Sequence, residues 1–206
     1  MIQKQKIKLL EVWRKENFFS EYSISKIMDL SNKKTKTWVF LSLKLLEKNK
    51  LIKSRRVGNM DLYSLNLDNP LCFFFLSFLE AEENLEFPFI SLINEIIEIS
   101  PVKDFSLIVF GSYAKKKQKK DSDLDICLLV KSQNEKKIIL PYINEVKLNY
   151  PVEIDTYFIT YPDFLKMLLN REENLGKQIF RKHIVFYNSG IYYNLLKEAY
   201  KNGFRQ

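Results

Sequence analysis

The sequence predicts an α+β protein in two parts: a small, basic, mainly helical unit ending in a hairpin, then a small mixed sheet with flanking helices. Three observations carry this. The 206 residues exceed one ordinary domain without reaching two. Residues 1–70 hold 15 Lys and Arg against 7 Asp and Glu, a surplus of 8 that equals the net charge of the whole chain, while the remainder carries 18 of each sign. Up to about residue 100 the chain reads as helices around one hairpin, whereas from Phe105 onward strand-length apolar runs alternate with helical stretches.

Composition narrows the chemistry. With 46% hydrophobic and 28% charged residues the chain suits a folded core rather than disorder. Two cysteines, Cys72 and Cys127, are too few for a disulfide scaffold and stand at no metal-binding spacing. A single histidine, His183, gives a histidine zinc site or a Ser–His–Asp triad almost nothing to draw on. Carboxylates must therefore carry any chemistry. The basic N-terminus meets Glu11 before an apolar stretch of signal-peptide length forms. The longest apolar run, Leu71 to Leu79, is interrupted by Ser77 and falls short of the roughly 20 residues a spanning helix needs. A cytoplasmic location is the expectation.

The first predicted helix covers Ile7 to Phe18, with Ile7, Leu10, Val12 and Trp13 as its apolar stripe. Ser23 or Ser25 caps a short helix ending near Leu30, and Ser31 and Asn32 precede a longer one from Lys34 to Lys48. Val39, Leu43 and Leu46 share one face of it. Leu51 to Val57 and Met60 to Leu67 flank Gly58-Asn59 and read as a hairpin. Pro70 and the acidic Ala-Glu-Glu-Asn-Leu-Glu stretch mark a junction. Beyond it, Phe87 to Ile99 is helical, Phe105 to Phe110 is a strand, and Asp123 to Val130 is a second strand. A helix from Glu135 to Leu148 leads to a third strand, Pro151 to Ile159. Helices at Asp163 to Asn170, Leu175 to Arg181 and Ile191 to Tyr200, with a strand-like run from His183 to Tyr187, complete the chain. The aromatics of the last helix read as core or dimer contacts, so a homodimer is among the expected partners. The division is 1–68, a junction over 69–86, and 87–206.

The order helix, short helix, turn, longer helix, hairpin from Tyr22 to Asn66 resembles the winged helix-turn-helix family. That resemblance implies a helix lying in a DNA major groove, with Lys34, Thr35, Lys36 and Thr37 at its exposed start. The wing would offer Lys53, Arg55 and Arg56 to phosphates or to the minor groove. Nucleic acid is the expected partner of this part, with protein contact as the other use of such a fold.

Val109-Phe110-Gly111-Ser112-Tyr113-Ala114, followed at a fixed interval by Asp121-Ser122-Asp123-Leu124-Asp125, resembles the signature of polymerase-β-like nucleotidyltransferases of the minimal type. The spacing has a physical reason. Residues i and i+2 of a strand share a face, so Asp123 and Asp125 project side by side. Like charges so close are costly, and a hard divalent cation offsets that cost. Mg²⁺ or Mn²⁺ is the expected cofactor and an NTP, ATP by expectation, the substrate. Gly111 lets backbone approach a triphosphate and Ser112 offers a hydroxyl and N–H groups. Lys115, Lys116, Lys117, Lys119 and Lys120 form a candidate phosphate rim. On the third strand Glu153 and Asp155 share one face. Glu153 fits by its neighbours and Asp155 by its distance from the next helix, and Asp155 is preferred.

The resemblance implies transfer of a nucleoside monophosphate to an acceptor hydroxyl, with Asp123, Asp125 and Asp155 as metal ligands and catalytic groups. The acceptor would be a protein partner such as a toxin-like chain, a nucleic-acid end, or a small molecule. Where the family usually carries a further glycine this chain has Lys116. That departure keeps a second function in view: a DNA-binding regulator whose nucleotidyltransferase domain binds nucleotide or partner without turnover.

Overall fold

The structure is a computed structural model that describes residues 2–119 and 121–205. The chain forms two compact units, one running to Leu79 and the other from Glu80 to Phe204.

In the first unit α1 (Lys4–Ile7) passes through a 3₁₀ turn, Lys8–Leu10, into α2 (Glu11–Lys15). The single helix expected here therefore starts earlier, ends earlier and tightens midway. It buries Leu9, Leu10 and Trp13, and the Trp13 indole donates to the Ser20 carbonyl at 3.0 Å. After β1 (Tyr22–Ser23), the Ser23 hydroxyl accepts from the Lys26 N–H at 3.3 Å and starts α3 (Ile24–Leu30). Next, α4 (Lys36–Lys48) buries Val39, Leu43 and Leu46 at helical spacing. The hairpin of β2 (Ile52–Val57) and β3 (Met60–Leu65) turns at Gly58, whose φ of +57° suits a residue without Cβ. β1 joins its far side, giving an antiparallel sheet in the order β1-β3-β2. At two residues β1 is too short to leave an alternation in the sequence.

The stretch read as a junction over 69–86 is mostly helix: α5 (Pro70–Asn84). Proline at a first helical position starts a helix instead of breaking one, and neither Gly nor Pro follows before Asn84. The boundary between the units falls inside this helix.

The second unit continues with α6 (Ile90–Ile99), β4 (Phe105–Val109), α7 (Gly111–Ala114) and β5 (Leu124–Val130). Then follow α8 (Gln133–Lys147), β6 (Ile154–Thr160), α9 (Tyr161–Leu169), α10 (Leu175–Arg181), β7 (Ile184–Tyr187) and α11 (Ser189–Lys201). The sheet order is β6-β5-β4-β7; β5 and β6 are parallel and β4 is antiparallel to both its neighbours. Leu124, Ile126, Leu128 and Val130 pack with Leu92, Ile93 and Ile96 of α6 and Ile139, Ile143 and Val146 of α8. Alternation turns Asp125, Cys127 and Leu129 to the other face, which α9 and α11 cover. Burial pushes the Cys127 thiol up, as expected of a small core residue. Behind this layer Glu80 is buried, accepting from the Val185 N–H at 3.1 Å and the Tyr193 hydroxyl at 2.8 Å. Among the described residues no helix is long and apolar enough to cross a membrane.

Candidate active site

The site is built by the β4–β5 ladder and the turn that leaves it. After Val109 the pairing extends one step, the Phe110 N–H donating to the Asp125 carbonyl at 3.1 Å. The chain then turns at Gly111, with φ +67°, into α7. Glycine is required here twice over. Its φ is one that side chains rarely adopt, and a Cβ would lie 1.9 Å from Asp125 Oδ2. The Asp125 carboxylate is therefore pressed against this turn. Ser112 follows with its hydroxyl oxygen buried and without a hydrogen-bond partner, a polar group awaiting an acceptor or donor.

Three of the carboxylates expected at the site lie at this end of the sheet. Asp125 is half-buried on β5 and is the register partner of Asp155 on the parallel strand β6. Asp155 is exposed. Asp123, also exposed, stands just before β5 and not within it, which corrects the expectation of two aspartates alternating inside one strand. Burial pushes the Asp125 carboxyl above its ordinary range, and the charges of Asp155 and Asp123 add to that, with Lys115 opposing. The Tyr157 phenol is raised by burial and by the same three aspartates. Glu153 lies ahead of β6, where its carbonyl accepts from the Leu124 N–H at 2.8 Å.

Beside Asp123 opens a cleft of about 530 Å³. Phe89, Tyr113 and Val152 form its apolar wall and Asp121, Asp123 and Glu153 its acidic part. The Phe89 and Tyr113 rings meet edge-on with centroids 5.4 Å apart.

The carboxylates are hard oxygen donors of the kind that Mg²⁺ and Mn²⁺ take, and their mutual repulsion is what a cation would relieve. As placed, they do not converge on one point: among the described residues no group of three or more His, Cys, Asp or Glu side chains is set to hold a metal ion. The donor set fits a divalent cation by its chemistry, hard carboxylate oxygens whose like charges a cation would offset.

The lysine loop after α7 is exposed from Lys115 to Lys119, and Lys120 lies outside the described residues. Lys116 occupies the left-handed region at φ +54°, the conformation a glycine adopts without cost, and pairs with Glu83 at 3.6 Å. The Ser122 hydroxyl accepts from the Lys119 N–H at 2.8 Å, closing the loop ahead of Asp123.

In the first unit Lys34, Thr35, Lys36 and Thr37 are exposed at the start of α4. The hairpin positions expected to serve as a wing are differently engaged. Lys53 pairs with Asp68 at 2.8 Å, Arg55 forms a two-nitrogen pair with Glu21, and the Arg56 side chain donates to the Gly58 carbonyl at 3.3 Å.

Residues 90–186 match the family model of the nucleotidyltransferase domain, a stretch just under half of the chain. It contains every strand of the second unit's sheet up to Phe186, together with the Gly-Ser turn and all the candidate carboxylates. No curated protein and no solved structure matches the chain. The match lies within the second unit and supports the nucleotidyltransferase superfamily for it, with nucleotidyl transfer as the general chemistry.

Proposed function

We propose that the chain is a metal-dependent nucleotidyltransferase that moves a nucleoside monophosphate from an NTP to an acceptor hydroxyl. One observation carries the reading: Asp125 is held against the Gly111 turn while standing in register with Asp155 and next to Asp123. Like charges gathered by backbone pairing raise the energy of the site, an arrangement typical of functional positions. Asp123, Asp125 and Asp155 would hold the cation. When bound, it neutralises charge that develops on the phosphates.

The chain's own groups do the rest. The Gly111 turn admits a triphosphate close to the backbone, and the Ser112 hydroxyl supplies the hydrogen bond that nothing in the protein takes up. Asp155, exposed and in register with Asp125, receives the proton of the acceptor hydroxyl. The acceptor oxygen then bonds the α-phosphorus, the bond from that phosphorus to the oxygen bridging the β-phosphate breaks, and pyrophosphate leaves with its electrons. The acidic lining beside Asp123 favours an acceptor hydroxyl on a protein, such as a separate toxin-like chain, over a polyanionic nucleic-acid end. The first unit, read as a basic winged helix with Lys34, Thr35, Lys36 and Thr37 exposed, would bind nucleic acid in its own right.

Lys116 supports a second reading, a DNA-binding regulator whose nucleotidyltransferase domain binds nucleotide or partner without turnover. At φ +54° a lysine stands where a glycine would be unstrained, and its pairing with Glu83 favours a fixed loop. Incubation with each α-labelled NTP, Mg²⁺ and a host lysate separates the two, with Asp123→Ala as control. Label on a macromolecule with wild-type protein alone is the expected outcome. NTP binding with no label transferred would leave the regulator as the better account.

A further inference from the structure

The geometry points to a nucleobase subsite on the ring of Tyr157, which rests on the nucleotidyltransferase reading and specifies where the nucleoside lies. Along β6 the residues Asp155, Tyr157 and Ile159 share a face. Asp155 is the register partner of Asp125, and Tyr157 is the register partner of Cys127. The ring therefore begins one same-face step inward from the carboxylates, about 7 Å along the strand.

Three features mark this ring as more than packing. It is 36% exposed, although Ile159 on the same face is buried. Its orientation is fixed by Phe110, which meets it edge-on with centroids 5.4 Å apart and planes at 65°. Phe110 in turn immediately precedes Gly111 and Ser112, so the residue that orients the ring belongs to the turn proposed to seat the phosphates.

An NTP with its α-phosphate at the carboxylates and its outer phosphates at Gly111 and Ser112 must set its base down within one sugar's length. Tyr157 offers a rigid aromatic surface there. Stacking on such a surface suits any base, since every base has a π-face, and it grows with the area covered. The site should therefore discriminate weakly among NTPs, with ATP and GTP held somewhat better than CTP and UTP.

The test measures binding by calorimetry of an ATP analogue that cannot be cleaved between the α- and β-phosphates, and separately of tripolyphosphate, both with Mg²⁺. Wild type, Tyr157→Phe and Tyr157→Ala are compared, with thermal unfolding run alongside. The expected result is binding of the analogue weakened about tenfold in Tyr157→Ala and restored in Tyr157→Phe. Tripolyphosphate should bind all three proteins equally. In transfer assays KM for ATP should rise about tenfold with kcat within about twofold. Unchanged binding in Tyr157→Ala, a Tyr157→Phe that fails like Tyr157→Ala, or parallel loss of tripolyphosphate each overturns the subsite alone. If wild type binds neither ligand, the nucleotidyltransferase reading falls and the subsite falls with it.

Discussion

In the first unit the cations that the sequence singles out stand on exposed positions, and exposed carboxylates meet two of them: Asp68 for Lys53 and Glu21 for Arg55. In the second unit the charges that matter are of one sign and are placed by backbone. Asp125 is fixed by the β4–β5 ladder, opposed by Asp155 in the β5–β6 register and pressed on Gly111. Opposite charges on a wet surface form pairs that salt screens and side-chain entropy weakens. Like charges gathered by a sheet cost stability and persist only where something else favours them. Placement by register therefore says more about chemistry than pairing at the surface does.

The largest effect should come from breaking the gathered charges. Asp125→Asn removes a charge that burial and two neighbouring aspartates disfavour, so thermal stability should hold or rise. Transfer should nevertheless fall about a thousandfold or more, read as pyrophosphate release. A variant that loses its fold along with its activity would show instead that the carboxylate is structural.

Buried polar groups supply the next contrast. Glu80→Ala leaves the Val185 N–H and the Tyr193 hydroxyl without their acceptor in a dry interior. A loss of about 3 kcal/mol in chemical denaturation is expected. The smallest effect belongs to the exposed pair: Arg55→Ala should leave the denaturation midpoint within experimental scatter, at low and high salt alike. It should weaken binding of a DNA duplex and flatten the salt dependence of that binding if the wing contacts phosphate.

Local pattern carried the site further than it carried the fold around it. Gly111-Ser112 and the aspartates after the loop are readable because the turn and the strand start are each encoded within a few residues. Period two could not separate Glu153 from Asp155, since both fall on one face of the strand it predicts, although Glu153 stands ahead of β6. What separates them geometrically is pairing with Asp125, a contact across some thirty residues of chain that no local spacing records. Tyr157 was within reach of the same alternation that linked Glu153 to Asp155. Glu80 was not: its partners stand 105 and 113 residues further on, so it reads as one more acid in a polar stretch. Pro70 looked like a break and begins a helix, because proline is excluded from helix interiors but not from their first turn.

Helix α5 has a practical consequence for anyone wishing to study the second unit alone. Its final turns hold β7 by two clamps, the Glu80 carboxylate on the Val185 N–H and the Asn84 amide on the Val185 carbonyl at 2.7 Å. A cut at residue 87, where the polar stretch invites one, would amputate both clamps and leave β7, an edge strand of the four-stranded sheet, with β4 as its one strand neighbour and α11 packed against it. The natural seam between the two units is therefore upstream of Glu80, inside a helix that the sequence presents as a junction.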